Sequence, residues 1–159
     1  MVHDDTWQEF RSMPPEQNKI LIRNHYEATT HRGDAEAIEE QIAPDFIDHD
    51  APPGTPKGAE GVKKHIAALR SAFPDIRVTI KDMIAEGDKV AVRATWQGTH
   101  QGVYMGIPPT NRQFTFTGMV FWRIQNGKIV ERWANIDRLS FMQQLGAIPA
   151  SGQENTESS

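Results

Sequence analysis

"FTFTGMVFWRIQNGKIVERWANI", residues 114–136, reads as two strands and the turn that joins them. Phe114, Phe116, Val120, Trp122 and Ile124 occupy even-numbered positions, the period of two that places apolar groups on one face of a strand. Asn126-Gly127 follows, a pair that tolerates positive φ and closes a tight antiparallel hairpin. Ile129 through Ile136 then forms the returning strand, with its register set by the turn. Strict alternation puts Ile129, Glu131, Trp133, Asn135 and Asp137 on one face, and Val130, Arg132, Ala134 and Ile136 on the other.

Upstream, the same period recurs. Ile76, Val78 and Ile80 alternate with polar neighbours, Gly87-Asp88 marks a turn, and Val90, Val92, Ala94 and Trp96 resume the pattern as a second hairpin. The first half of the chain is helical instead. Pro14-Pro15 opens a stretch from Glu16 to Thr30 in which Ile22, Tyr26 and Thr29 share a face, ended by Gly33. Asp34 caps a short helix carrying Ile38 and Ile42, which Pro44 stops; Phe46 to Asp50 is a brief strand. Val62, Ile66, Leu69 and Phe73 define a third helix before Pro74, and Leu139, Met142 and Leu145 a last one that ends at Gly146. Helices followed by a strand meander predict an α+β fold: a curved, strongly twisted antiparallel sheet wrapped around the N-terminal helices, with one open end where a cavity can form. The expected organisation is an N-terminal arm over 1–15, a single domain over 16–147, and a disordered tail over 148–159.

Composition limits the function. With 159 residues, 38% apolar and 24% charged, the chain fits one soluble domain, and no apolar run reaches the ~20 residues of a membrane span. The first residues carry no basic segment followed by an apolar one, so a cytoplasmic location is expected. A formal charge of −4 without a Lys/Arg cluster argues against nucleic acid and anionic membranes as partners, leaving a small hydrophobic molecule. There are no cysteines, which removes disulfides and thiolate chemistry. His25 and His31 are badly spaced for a shared metal, and Asp45, Asp48 and Asp50 lack a calcium-loop pattern, so no metal is expected.

Asp137 has two readings. It precedes a helix, where aspartate is a favoured N-cap; it also shares a face with Trp133 and Asn135, and in an apolar pocket a carboxylate would lose hydration and exchange protons near neutral pH. Asn135 would donate to a substrate oxygen. His49 and His100 lie at strand ends, where each either orients a carboxylate or simply packs. His65 lies beside the helix stripe and is assigned to the surface. Residues 101–112 are long for a hairpin connection; Tyr104, Met105 and Ile107 would cover the cavity as a lid, or as a rigid flap sealing the core or meeting a second subunit. Phe73, Trp122 and Trp133 are candidate pocket wall.

"PDIRVTIKDMIAEGDKVAVRATWQGTHQGVYMGIPPTNR", together with "RIQNGKIVERWANIDRLSFMQQLG", resembles the SnoaL-like polyketide cyclase family, which shares the nuclear transport factor 2 fold. The resemblance runs from Glu16 to Gly146 and rests on the GTH…G…GIPPT, GKIVE and W…D elements. It implies a cone-shaped barrel with a deep cavity, a homodimer or higher homo-oligomer, and a cofactor-free intramolecular aldol condensation of a polyketide ester. It also implies that Asp137, in the W-x-x-x-D spacing, is the acid/base, with Asn135, His49 or His100 stabilising the enolate. Asn111 stands where the family often has glycine. The alternatives are a hydrolase or isomerase of the same fold, for which Glu131 and Arg123 are candidates, and a noncatalytic binder of small molecules.

Overall fold

The computed structural model describes residues 14–149. The expected tail therefore lies outside the described residues except at its first two positions, as does nearly all of the expected arm. The first helix, α1 (Pro15–Tyr26), starts on a proline whose missing N–H costs nothing at N1, and passes into a π-helical turn, Glu27–His31. Arg70 closes that turn by donating from one guanidinium nitrogen to the carbonyls of Thr30 and His31, at 2.7 and 2.8 Å. In α2 (Ala35–Gln41), Asp34 caps the Ala37 N–H at 3.0 Å, as its sequence predicts.

Strand β1 (Ile42–Asp48) runs through Pro44, which the sequence reading took as a helix stop before a later strand. After α3 (Ala59–Ala72), β2 (Arg77–Glu86), β3 (Lys89–Thr99), β4 (Gln113–Gln125) and β5 (Lys128–Ile136) form the meander, and α4 (Arg138–Leu145) ends on Gly146 in the left-handed conformation. The sheet order is β1-β5-β4-β3-β2. The architecture is the expected α+β fold with a curved, unclosed sheet, but the sheet is mixed. β1 lies parallel to β5, because the chain crosses through α3 between β1 and β2 instead of turning back in a hairpin. Among the described residues no helix is long and apolar enough to cross a membrane.

The concave face is apolar. Val90, Val92, Ala94 and Trp96 on β3, with Phe114, Phe116, Val120, Trp122 and Ile124 on β4, are buried against Ile22 and Tyr26 of α1, Ile66 of α3, and Phe73. Phe141 and Leu145 of α4 close one end, where Phe73, Phe114, Phe116 and Phe141 pack mostly edge-to-face or tilted, with Phe114 and Phe116 stacked, at centroid separations of 4.6 to 5.8 Å. Each such fully buried ring contributes roughly 2–3 kcal/mol over an exposed one. Gly118 is required in the middle of β4, since a Cβ there would stand 2.7 Å from Ile136 Cγ2 and 3.1 Å from Trp96.

The register of the second hairpin departs from strict alternation. Ile124 pairs with Ile129, but Arg123 pairs with Glu131, so Val130 is an extra residue in a β-bulge. Both Ile129 and Val130 are buried. Beyond the bulge every side chain of β5 lies on the face opposite to the one simple counting assigns. Trp122 stands opposite Arg132, Val120 opposite Ala134 and Gly118 opposite Ile136 on the concave side. Phe121 stands opposite Trp133 and Met119 opposite Asn135 on the convex side.

Candidate active site

The bulge divides the candidate residues between two sides of the sheet. Trp133, Asn135 and Asp137 do share a face, as expected, but that face is convex. Asp137 is exposed; its carboxylate accepts the Ser140 N–H at 3.0 Å and its own N–H bonds Thr117 O at 2.9 Å, so it is an N-cap at the end of a strand. The expectation of a desolvated carboxylate in an apolar pocket is corrected accordingly. Together with Asn135, Arg93, Thr117 and Met119 it edges an open groove of about 390 Å³.

His49 lies further along the same convex side. Its imidazole stacks on Trp133 (4.9 Å, 5° between planes), and its Nε2 is 2.7 Å from Glu131 Oε2. Glu131 Oε1 accepts from Arg123 Nε at 2.6 Å. The His49 hydrogen bond first, and Arg123 second, hold the Glu131 carboxyl below its ordinary range. Lys89 sits 5.9 Å over Trp133. Glu131 and Arg123 are therefore partners in a surface network, and Trp133 is not a wall of the concave side.

Four other candidates do lie on the concave side. Trp122 is buried, donating from Nε1 to Tyr26 Oη at 3.3 Å. Burial pushes the Tyr26 phenol up to about 12, and pushes the neighbouring His25 imidazole down to about 4, the latter partly offset by Gln41 at 2.9 Å. Phe73 is fully buried 5.6 Å from the ring of His100 and 4.9 Å from that of Tyr104. His100 is itself completely buried; its Nδ1 lies 3.0 Å from Thr110 Oγ1, while Nε2 has no hydrogen-bond partner among the described residues. An unmet buried nitrogen of this kind costs ~1–3 kcal/mol, which a ligand oxygen would recover.

The connection that carries Tyr104 is fixed at its base. Gln101 and Gly102 donate to Ala72 O at 2.9 and 3.0 Å, and His100 exchanges backbone bonds with Arg112 and Asn111. A Cβ on Gly102 would stand 2.4 Å from Ser71 O, so only glycine allows this contact. Tyr104 and Ile107 pair across a tight turn whose central residues, Met105 and Gly106, both have positive φ. Tyr104 and Ile107 are partly buried, whereas Val103 and Met105 point outward, 65% and 66% exposed. Of the lid and flap readings, the anchoring favours a flap with a projecting tip.

Val62 and Leu69 of α3, Tyr104 of the flap, Ala134 and Ile136 of β5 and Met142 of α4 are partly buried and pack against the core. The polar groups on this concave side were not assigned to a site from the sequence. Arg132, on the concave side of β5, donates to both carboxylate oxygens of Asp48 at 3.0 and 3.1 Å, with its guanidinium 5.6 Å over Trp122. Desolvation lowers the His65 imidazole pKa, Arg132 and Arg138 lower it further, and Asp48 opposes them. Desolvation raises the Tyr104 phenol, and Arg138 acts against that shift. The one available signal was the parity of β1, which separates Asp48 from His49; the parallel pairing that brings Asp48 beside Arg132 is not written locally.

The sequence profile of the SnoaL-like polyketide cyclase family matches residues 20–145. No protein of curated function matches the chain. Among solved structures, IdmH from Streptomyces antibioticus, a proposed polyketide cyclase, is 39% identical with TM-score 0.70, over 82% of this chain and 99% of that one. TsrD from Streptomyces laurentii is 26% identical with TM-score 0.79, over 86% of this chain and 100% of its own. AclR from Streptomyces galilaeus, a proposed hydroxylase, is 29% identical with TM-score 0.74, over 86% and 85%. With the profile spanning most of the chain and the same helix-and-curved-sheet architecture in these neighbours, the protein belongs to the SnoaL-like polyketide cyclase family.

Proposed function

We propose that the protein closes a ring in a polyketide-derived substrate held on the concave side of the sheet. The observation that supports this is the chemistry of that side: a buried aromatic cluster with His100 beside Phe73, the His100 Nε2 lacking a hydrogen-bond partner among the described residues, and the Arg132–Asp48 ion pair near the edge at β1. An acyl chain carrying several carbonyls would find apolar walls for its carbons and a few donors for its oxygens.

The chemistry is an intramolecular aldol-type condensation. A base removes a proton from a carbon flanked by two carbonyls, the electron pair moves to oxygen, and the resulting enolate carbon attacks a third carbonyl. The new alkoxide then takes a proton. Such a carbon is already acidic, so the protein contributes chiefly by folding the chain into a reactive shape and keeping water away. His100 Nε2 would donate to a substrate oxygen once the tautomer places its proton there.

A pair of variants tests the location. Ala134→Trp fills the concave side, while Asn135→Trp adds the same bulk to the convex side. Isothermal titration with a poly-β-keto thioester mimic is expected to lose binding in the first and keep it in the second. The opposite result would move the site to the convex groove.

We also infer that the self-association implied by the family resemblance uses the convex face. Ile84, Phe121 and Met119 are 68%, 49% and 58% exposed there, in adjacent rows of the sheet.

A further inference from the structure

The flap returns to the sheet through Thr110, Asn111 and Arg112, and this return is built around His100. The His100 N–H donates to Arg112 O at 2.9 Å, and the Asn111 N–H donates to His100 O at 2.8 Å. Asn111 has a φ of 56°, a left-handed conformation that asparagine tolerates better than most residues. With the chain bent there, Thr110 Oγ1 accepts the Arg112 N–H two residues on, at 3.3 Å. The same Oγ1 lies 3.0 Å from His100 Nδ1.

A neutral imidazole carries one N–H and one bare nitrogen, and a hydroxyl has one proton to give. Because Thr110 Oγ1 already accepts from Arg112, its own proton is free to point at Nδ1, which then serves as the acceptor. The ring proton is left on Nε2. That nitrogen belongs to a side chain with 0% exposure and has no hydrogen-bond partner among the described residues. Phe73 packs 5.6 Å from the imidazole, and Tyr104 packs 4.9 Å from Phe73. His100 and Phe73 are fully buried, so Tyr104, partly exposed and carried by the flap, is the outermost ring of the three. Its backbone bonds are internal to the flap tip, exchanged with Ile107 at 3.0 and 2.8 Å.

Resting on the reading that the concave side takes the substrate, we propose that Thr110 is a positioning residue. It holds His100 in the Nε2–H tautomer, and that N–H takes a ketone oxygen of the substrate once the Tyr104 ring swings out with the flap tip. The ligand class is therefore a flat, largely apolar ketone, whose framework packs on Phe73 in place of Tyr104 and whose oxygen accepts from Nε2. Negative charge developing on that oxygen strengthens the bond, because hydrogen bonds to ionised acceptors are the stronger ones. The threonine of Gly-Ile-Pro-Pro-Thr, residues 106–110, thus acts in recognition through the histidine it touches.

Nitrogen NMR of imidazole-labelled protein, with the His100 signals assigned by their loss in His100→Gln, reads the tautomer directly. The wild type is expected to show a protonated Nε2 and a bare Nδ1. Thr110→Val is expected to lose that preference, and Thr110→Ser to keep it. Titration calorimetry then compares a naphthyl methyl ketone with the isopropenyl hydrocarbon of the same shape. The wild type is expected to bind the ketone ~10-fold more tightly, with the Nε2 signal moving on binding. Thr110→Val is expected to bind the two alike, without losing affinity for the hydrocarbon; a merely structural threonine would leave the preference intact. A bare Nε2 in the wild type, an unchanged tautomer in Thr110→Val, an Nε2 signal unmoved by the ketone, or a ketone that binds no better than the hydrocarbon overturns the proposal. Ala134→Trp separates the two levels of inference. If it binds the ketone with the wild-type Nε2 response, the donor assignment stands and the concave reading fails; if it loses binding while the wild-type Nε2 ignores the bound ketone, only the donor assignment fails.

Discussion

The buried His25 makes stability depend on pH in a window clear of the carboxylates. The ring is 3% exposed, 5.1 Å from Trp122 and hydrogen-bonded to Gln41, and burial lowers its pKa from 6.5 to about 4. Above pH 6.5 it is neutral in both the folded and unfolded chains. Between pH 6.5 and 4 the unfolded chain takes up a proton that the folded one excludes, so stability falls as the solution is acidified and levels off below 4. At ~1.4 kcal/mol per pH unit the full loss is about 3 kcal/mol, of which about 2 kcal/mol falls between pH 7 and pH 5. Glu27, Asp75 and Glu131, all held below their ordinary values, act in the same direction but at lower pH. The lowered His65 acts within the window, so the comparison must be with a variant in which only position 25 changes. His25→Asn keeps a short side chain able to donate to Gln41 but cannot titrate. Urea unfolding at pH 7 and pH 5, followed by tryptophan fluorescence, should show the variant less stable at pH 7 and less sensitive to acid by about 2 kcal/mol. Parallel pH dependence in the two proteins would refute the reasoning.

Gly118→Ala should cost ~1–3 kcal/mol in the same unfolding assay, because the added methyl must displace Ile136 or Trp96 across the inner face. Asp137→Ala should lose about 1 kcal/mol through its cap to Ser140, whereas Asp137→Asn should lose little. If proton transfer belongs to the concave side, Asp137→Asn also keeps its turnover; loss of turnover with an unchanged melting temperature would return that role to Asp137. Phe121→Lys, on the convex face, should shift sedimentation towards the monomer without altering binding of the poly-β-keto thioester mimic, and an unchanged sedimentation profile would remove this face as the self-association surface.

What the sequence made legible was whatever is decided within a few residues. The Asp34 cap, the stop at Gly146, the Asn126-Gly127 turn and the alternation from Phe114 to Ile124 all appear where local chemistry puts them. The parallel placement of β1 was not legible, since it depends on where α3 carries the chain and not on any residue of β1 itself. Phe73, Trp122 and His100 are buried together with the inner face, where helix phase and β3–β4 parity are regular enough to be read locally. Trp133, Asn135 and Asp137 were misplaced by one cause, the extra residue at Val130. His65 was assigned to the surface because it falls beside the apolar stripe of its helix, and it is exposed.

That extra residue works as a parity switch for the returning strand. Were Val130 paired in regular alternation instead, the downstream strand would slip by one place, exchanging Arg132, Ala134 and Ile136 for Glu131, Trp133 and Asn135 on the concave side while the backbone path stayed nearly the same. Whether one residue of this hairpin bulges or pairs therefore decides which side chains line the interior, so two chains of this architecture with nearly the same residues need not offer a guest molecule the same chemistry.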